Sequence, residues 1–574
     1  MDLQSFFIGE AFDAYDFFGA HIGKEGVTFR VYAPNAERVQ LIGEFNGWDG
    51  GLCEMEREGA GGIYTATVAQ ARPGMMYKYR IFQHDGRVVD RADPYAFGSE
   101  LRPNTASVIV DLNSFAFTDR EWILQRSKGY NEPMNIYEMH VGSWRRKQGE
   151  KAGWYTYRQL CTGLIAYLKE NHFNYVEFLP LSEHPADESW GYQVSGFFSP
   201  TSRYGTAEEL MYLINECHEN GIGVIMDFVP VHFVVNDYAL SRFDGSALYE
   251  YPDKDTGYSE WGSCNFNYYR GEVRSFLQSA AHYWVEKYHF DGLRMDAINN
   301  ALYWQGDSRR GVNPGAVEFI KYMNSGLHHL HPNVLLIAED SSNFPKVTAP
   351  VPYGGLGFDY KWDMGWMNDT LRFFSMPPEK RKQCYGQLCF SMDYFYHELY
   401  LLALSHDEVV HGKKTILQKM YGSYEEKFAQ CKSLFTYMFT HPGKKLNFMG
   451  NEFGQLREWD EKREQDWDLL SYPSHDSFAH YFRLLSSLYL SSPALYEKEY
   501  DSRYFKWLKP YMGDGCVYAY ERGSEGQKLV VLVNVSKKDY RELKVEYDGG
   551  GILREILNSD ENEFGGSGVV NPLP

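Results

Sequence analysis

Four short segments place acidic side chains where they could act together: Asp227-Phe-Val-Pro-Val-His232, Phe290-Asp-Gly-Leu-Arg-Met-Asp296, Leu336-Ile-Ala-Glu-Asp340 and Leu404-Ser-His-Asp-Glu-Val-Val-His411. Each overlaps a short apolar run that reads as a β-strand and carries an acid at or just past its end. One such acid is most often a solvated cap or turn residue. Four in this order point to a shared site. Two carboxyls about 5–5.5 Å apart can cleave a glycosidic bond with retention: one attacks the anomeric carbon, the other protonates the leaving oxygen and later deprotonates the acceptor. A third carboxylate can stabilise positive charge developing on the sugar ring. Arg294 lies two residues before Asp296, so on a strand both side chains point the same way. A guanidinium there keeps the carboxylate ionised, as a nucleophile requires. His232 and His406 can donate hydrogen bonds to sugar hydroxyls.

The surrounding sequence supplies elements to position these groups. From about residue 134, short apolar strands alternate with helical stretches, the rhythm of βαβ units. The predicted strands are Asn135–Val141, Tyr175–Leu179, Gly223–Val229, Gly292–Asp296, Val334–Ala338, Phe358–Trp362, Leu401–Ser405 and Leu446–Met449, with helices at Ala207–Asn220, Arg274–Tyr288, Pro314–His331 and Tyr424–Thr440. Eight such units predict a (β/α)₈ barrel over 126–496, with its active site at the C-terminal strand ends. A long insert at about 231–267 follows the third strand. Ahead of the barrel, residues 15–125 alternate apolar and polar positions between Gly, Pro and Asn turns, as in a β-sandwich. Residues 497–574 read as a short C-terminal β-domain, with strands expected at Val517–Glu521, Lys528–Val535 and Glu542–Tyr547.

Composition narrows the partners. The 574 residues carry a net charge of −20, which argues against nucleic acid and suits a neutral polymer. The eight cysteines are scattered and form no CxxC, the pattern of free thiols in a reducing compartment. The N-terminus has no basic run before an apolar one, and no stretch of about 18 apolar residues occurs. The expectation is a cytoplasmic protein without membrane spans.

The four segments resemble the signature regions of the α-amylase superfamily, glycoside hydrolase family 13. The resemblance covers about residues 15–574 and implies Asp296 as nucleophile, Glu339 as general acid/base and Asp407 as transition-state stabiliser. It further implies that Arg294, His232 and His406 bind the reacting glucose, that Tyr192 stacks on it and that Asp227 supports the site. Leu404-Ser-His-Asp-Glu-Val-Val-His-Gly-Lys413 is similar to the 1,4-α-glucan branching enzymes of that superfamily. So are Glu183-His-Pro, Trp190-Gly-Tyr-Gln-Val194, Pro200-Thr-Ser-Arg-Tyr-Gly205, Gly357-Phe-Asp-Tyr-Lys-Trp-Asp-Met-Gly365 and Phe448-Met-Gly-Asn-Glu-Phe-Gly-Gln455. The implied activity is cleavage of an α-1,4 bond and transfer of the fragment to a 6-hydroxyl of an α-glucan. A hydrolase or debranching enzyme of the same fold is the alternative, and a catalytically dead glucan-binding protein is disfavoured by the intact acids. The N-terminal sandwich resembles a family 48 carbohydrate-binding module, in which Trp48 either binds glucan or packs. No cofactor is implied, and no metal: Val231 stands where α-amylases carry a calcium-ligating Asn and offers no side-chain oxygen.

Overall fold

The computed structural model describes the chain except residues 60, 150–152, 509–514, 541 and 572–574. Eight parallel strands close a barrel: β1 (Asn135–Met139), β2 (Tyr175–Phe178), β3 (Gly223–Phe228), β4 (Gly292–Met295), β5 (Leu335–Ala338), β6 (Tyr360–Trp362), β7 (Tyr400–Leu404) and β8 (Lys444–Phe448). They neighbour one another in chain order, with β8 returning to β1. The eight expected strands are the eight observed, their ends displaced by two residues at most. Apart from Tyr400, every barrel-strand residue is buried. That is why these strands read as continuous apolar runs: parallel strands are covered on both faces.

The principal helices are α1 (Tyr157–Glu170), α2 (Ala207–Glu219), α3 (Gly271–Tyr288), α4 (Pro314–Leu330), α5 (Met364–Ser375), α6 (Tyr424–Thr440) and α7 (Pro473–Ser491). Their starts are written in the sequence. Thr206 and Glu209 form a reciprocal capping box on α2, as do Ser423 and Glu426 on α6. Asn313 caps α4, whose first residue is Pro314. No helix among the described residues is long and apolar enough to cross a membrane.

The chain divides into two compact units, residues 1–127, 146–162 and 178–358 in one, and 128–145, 163–177 and 359–574 in the other. The first contains an N-terminal pair of antiparallel sheets. One is built from Gly19–Gly23, Gly26–Tyr32, Ile63–Val68 and Glu56–Glu58; the other from Ala36–Gly43, Met76–Gln83, Val88–Arg91 and Ser107–Val108. Met76–Gln83 buries alternate residues, and Phe29 of the first sheet meets Tyr77 of the second at 4.9 Å. This module is fastened to α3 and the long insert: Tyr32 donates to Glu272 at 2.7 Å, Asn35 binds Asp244 at 2.9 Å, and Arg91 reaches the Phe243 carbonyl at 3.1 Å. Trp48 is 37% exposed. The insert is folded rather than open, with His232–Phe233 pairing Cys264–Asn265.

In the second unit, β9 (Phe505–Trp507), β10 (Val517–Gly523) and β11 (Lys528–Asn534) form an antiparallel sheet. The expected strand at Glu542–Tyr547 is not formed. Its alternation survives, with Leu543, Val545 and Tyr547 less exposed than their neighbours, but among the described residues it joins no ladder.

A buried polar network precedes β4. His218 on α2 bonds Asp119 at 2.7 Å and Asp291 at 2.9 Å, beneath a stacked Trp122 whose indole also donates to Asp291. Burial alone would depress the His218 value; Asp291 and Asp119 outweigh it and raise it to about 9. A group whose value is raised on folding adds stability that is complete below its unfolded value, near 6.5, and lost as pH climbs through 9. His218→Leu should destabilise the protein by about 1.5–3 kcal/mol, because it removes a charged bond from two buried carboxylates and leaves Asp119 with His289 and Asp291 with Arg126, Trp122 and the Val224 N–H. The melting-temperature gap between wild type and variant should narrow as pH rises from 6.5 past 9. A gap unchanged across that window would show that His218 is not charged in the native state.

Candidate active site

Strand register assembles the first group of acids. Asp227 on β3 pairs with Arg294 on β4, and Met295 pairs with Ala338 on β5, so Asp296 and Glu339 emerge together one step beyond the paired strand ends. The backbone ladder continues through them: Asp296 donates to Phe228, and Glu339 to Met295, each at 3.0 Å. The Arg294 side chain is buried and forms ion pairs with all three carboxylates. Nη1 contacts Asp227, Asp296 at 3.1 Å and the Tyr192 hydroxyl at 3.3 Å; Nη2 donates to Glu339 at 2.6 Å. Tyr192 in turn donates to Asp227 at 2.5 Å. Burial works against the guanidinium charge, but Asp227, Glu339, Tyr192 and Asp296 outweigh it and hold Arg294 well above its ordinary range.

Exposure separates the three acids. The Asp227 side chain is 1% exposed, whereas Asp296 and Glu339 keep 13% and 15%. Asp227 is therefore an internal brace, while the other two can meet a ligand. Ala297 adds a constraint. It takes the left-handed conformation at φ 47°, and its N–H donates to Glu339 Oε2 at 3.0 Å. A non-glycine residue held there costs about 1–3 kcal/mol, and the surrounding hydrogen bonds maintain it. His232 is buried, and its Nδ1 has no hydrogen-bond partner among the described residues. Burial lowers its value to about 4, so the ring is neutral at pH 7, and it packs 5.1 Å from the half-exposed Trp261.

The second unit carries the fourth segment. Glu138 on β1 is fully buried and accepts both the His406 backbone N–H, at 2.9 Å, and Nδ1, at 2.6 Å. A carboxylate only accepts, so the proton sits on Nδ1, and Nε2 lies 3.6 Å from Asp407. The Asp407 side chain is 44% exposed. Beyond it the chain is stapled: Glu458 accepts from the Gly412 and Lys414 N–H groups at 3.0 and 2.6 Å, and Lys419 Nζ donates to the Lys413 and Lys414 carbonyls, each at 2.6 Å.

Family models match three stretches: carbohydrate-binding module 48 (isoamylase N-terminal domain) at residues 17–96, the α-amylase catalytic domain at 160–261, and the α-amylase C-terminal all-β domain at 507–573. Over its whole length the chain is 46% identical to the 1,4-α-glucan branching enzyme GlgB of Bacillus caldolyticus, covering 87% of that protein. It is 42% identical to the GlgB of Bacillus subtilis strain 168, covering 100% of this chain and 92% of the other. With that of Halothermothrix orenii it shares 44%, over 99% of this chain and 93% of the other. The chain belongs to the 1,4-α-glucan branching enzyme family. Its fold is shared more widely. A pullulanase from Anoxybacillus sp. LM18-11 superposes with a TM-score of 0.72 at 19% identity, over 94% of this chain and 84% of that one. An apo pullulanase from Paenibacillus barengoltzii gives 0.71 at 19%, over 91% and 87%.

For this member of the branching enzyme family, Arg294 gathers Tyr192, Asp227, Asp296 and Glu339, while His406 and Asp407 adjoin each other beside Glu138. His232 makes no direct hydrogen bond to either group among the described contacts. Sequence reasoning missed Glu138 and Ala297. Glu138 had a signal, an acid inside the predicted strand Asn135–Val141. Ala297 had none, because nothing in an alanine announces a positive φ. Glu138→Gln should leave the fold intact and lower kcat about 10–100-fold, since the amide cannot accept from both His406 N–H groups. An unchanged kcat in a steady-state branching assay would remove Glu138 from the working site.

Proposed function

We propose that this enzyme cuts an α-1,4 bond in a linear glucan and passes the released chain, with retention, to the 6-hydroxyl of another. Asp296 attacks C1 as Glu339 protonates the departing 4-oxygen, leaving a glycosyl ester on Asp296. Asp407 faces the positive charge of the transition state, and Asp227 with Arg294 braces the nucleophile. Glu339 then takes the proton of an acceptor 6-hydroxyl, whose oxygen attacks C1 and frees Asp296. Tyr192, His232 and His406 hold the reacting glucose. The observation that carries this assignment is that one buried guanidinium holds the two ligand-facing carboxylates, at 3.1 and 2.6 Å. Hydrolysis would use the same ester with water as acceptor. Family membership favours the sugar hydroxyl, which a bound acceptor chain presents at high effective concentration.

We place the reaction in the cytoplasm, on the strength of eight free thiols, five of them buried. The charge of −20 disfavours nucleic acid as a partner. No step calls on a metal, so activity should survive EDTA; loss of turnover restored by Ca²⁺ alone would contradict this.

With amylose, the iodine colour should fall with almost no new reducing ends, and isoamylase should release short chains from the product. Reducing sugar rising in step with colour loss would establish hydrolysis instead. Asp296→Ala should lower turnover by roughly a thousandfold or more while keeping the native circular dichroism. Retention of a tenth of the rate would mean that another group is the nucleophile.

A further inference from the structure

His282 and Glu286 lie one turn apart on α3, so their side chains share a face, and His331 follows the last residue of α4. One ligand-capable atom from each of the three lies within 4.8 Å of the others. His331 Nε2 is 3.6 Å from a Glu286 carboxylate oxygen, and the two imidazole centroids are 5.1 Å apart. His331 Nε2 is buried and makes no hydrogen bond among the described residues. His282 Nδ1 donates to the Phe12 carbonyl at 2.9 Å and adjoins the Tyr15 hydroxyl at 3.2 Å. Its proton is therefore on Nδ1 and its lone pair on Nε2. A backbone carbonyl fixing one ring nitrogen is the usual support for a histidine that ligates a metal through the other.

We propose that His282, Glu286 and His331 bind one divalent transition ion of the zinc class, completed by water. Two imidazoles and one carboxylate match that ion and disfavour Ca²⁺ or Mg²⁺, which take oxygen ligands. Metal–ligand bonds of about 2 Å put ligand atoms about 3.4 Å apart, so closure asks for a further inward movement from the 4.8 Å within which one ligand-capable atom of each side chain now lies. The exposed Glu286 side chain can supply it. Burial holds both imidazoles below their ordinary value, His331 at about 4, which leaves them neutral and able to ligate at pH 7. The site is structural. α3 and α4 end where the chain turns into the starts of β4 and β5, the barrel face opposite the catalytic carboxylates. A bound ion would clip the two helix ends together, with the N-terminal segment at Phe12 and Tyr15 held behind His282.

The test uses untagged full-length protein stripped with chelator. Titration with Zn²⁺ should show one tight equivalent and raise the melting temperature by about 2–4 °C, whereas Ca²⁺ and Mg²⁺ should do neither. Co²⁺ should give the visible absorption of a low-coordinate N/O site. His331→Leu should weaken zinc binding roughly 100-fold, and the surface change Glu286→Gln about tenfold, with branching activity unchanged in both. No zinc binding by the wild type, or equal affinity in wild type and Glu286→Gln, would overturn the proposal even if His331→Leu failed to fold.

Discussion

Everything at the C-terminal ends of β3, β4 and β5 depends on one buried guanidinium. Asp227, Asp296 and Glu339 converge from three neighbouring strands. Three carboxylates this close repel one another and lose water on burial, so a counter-charge is needed to hold them together. Arg294 supplies it, and only an arginine could do so in this geometry. Its planar fork offers Nη1 to Asp227 and Asp296 and Nη2 to Glu339, whereas a lysine ammonium would be a single point. The left-handed Ala297 and the hydroxyl of Tyr192 then fix one oxygen each of Glu339 and Asp227.

The second unit solves a similar problem with different parts. Glu138 is a fully buried carboxylate whose two oxygens are both used on His406, orienting the ring and the backbone that carries Asp407. Other buried charges of this unit gather where β8 begins. Lys444 pairs with Glu499 at 2.6 Å, both fully buried, and Lys445 donates to the His441 and Gly443 carbonyls at 2.6 and 2.5 Å. Burial holds both lysines below their ordinary range. Such groups are costly to strip of water, and completing their hydrogen bonds is what makes them tolerable. A barrel that works at its C-terminal strand ends leaves the opposite ends free for structural pairs of this kind.

The barrel was legible because its strands are short apolar runs at βαβ spacing, and because Thr206, Ser423 and Asn313 mark helix starts. The meeting of Asp227, Asp296 and Glu339 was legible in part because their three segments each carry an acid at or beside a strand end. What the sequence could not show was pairing across distance. Glu138 lies 268 residues from His406, and no local pattern joins them. Nor could it show that Glu542–Tyr547, which alternates as a strand should, joins no ladder among the described residues. Alternation reports which face is covered, whereas a ladder needs a second chain segment at hydrogen-bonding distance.

In the proposed mechanism Asp296, paired with Arg294, is the residue that carries the sugar. The direct test is to incubate a Glu339→Gln variant with an α-maltosyl fluoride, whose leaving group needs no acid, then quench and map the glycosylated peptide by mass spectrometry. Without its acid/base the variant forms the ester but resolves it slowly, so a maltosyl adduct should accumulate on Asp296. An adduct on Asp407, or substrate consumption with no adduct on any carboxylate, would contradict the account.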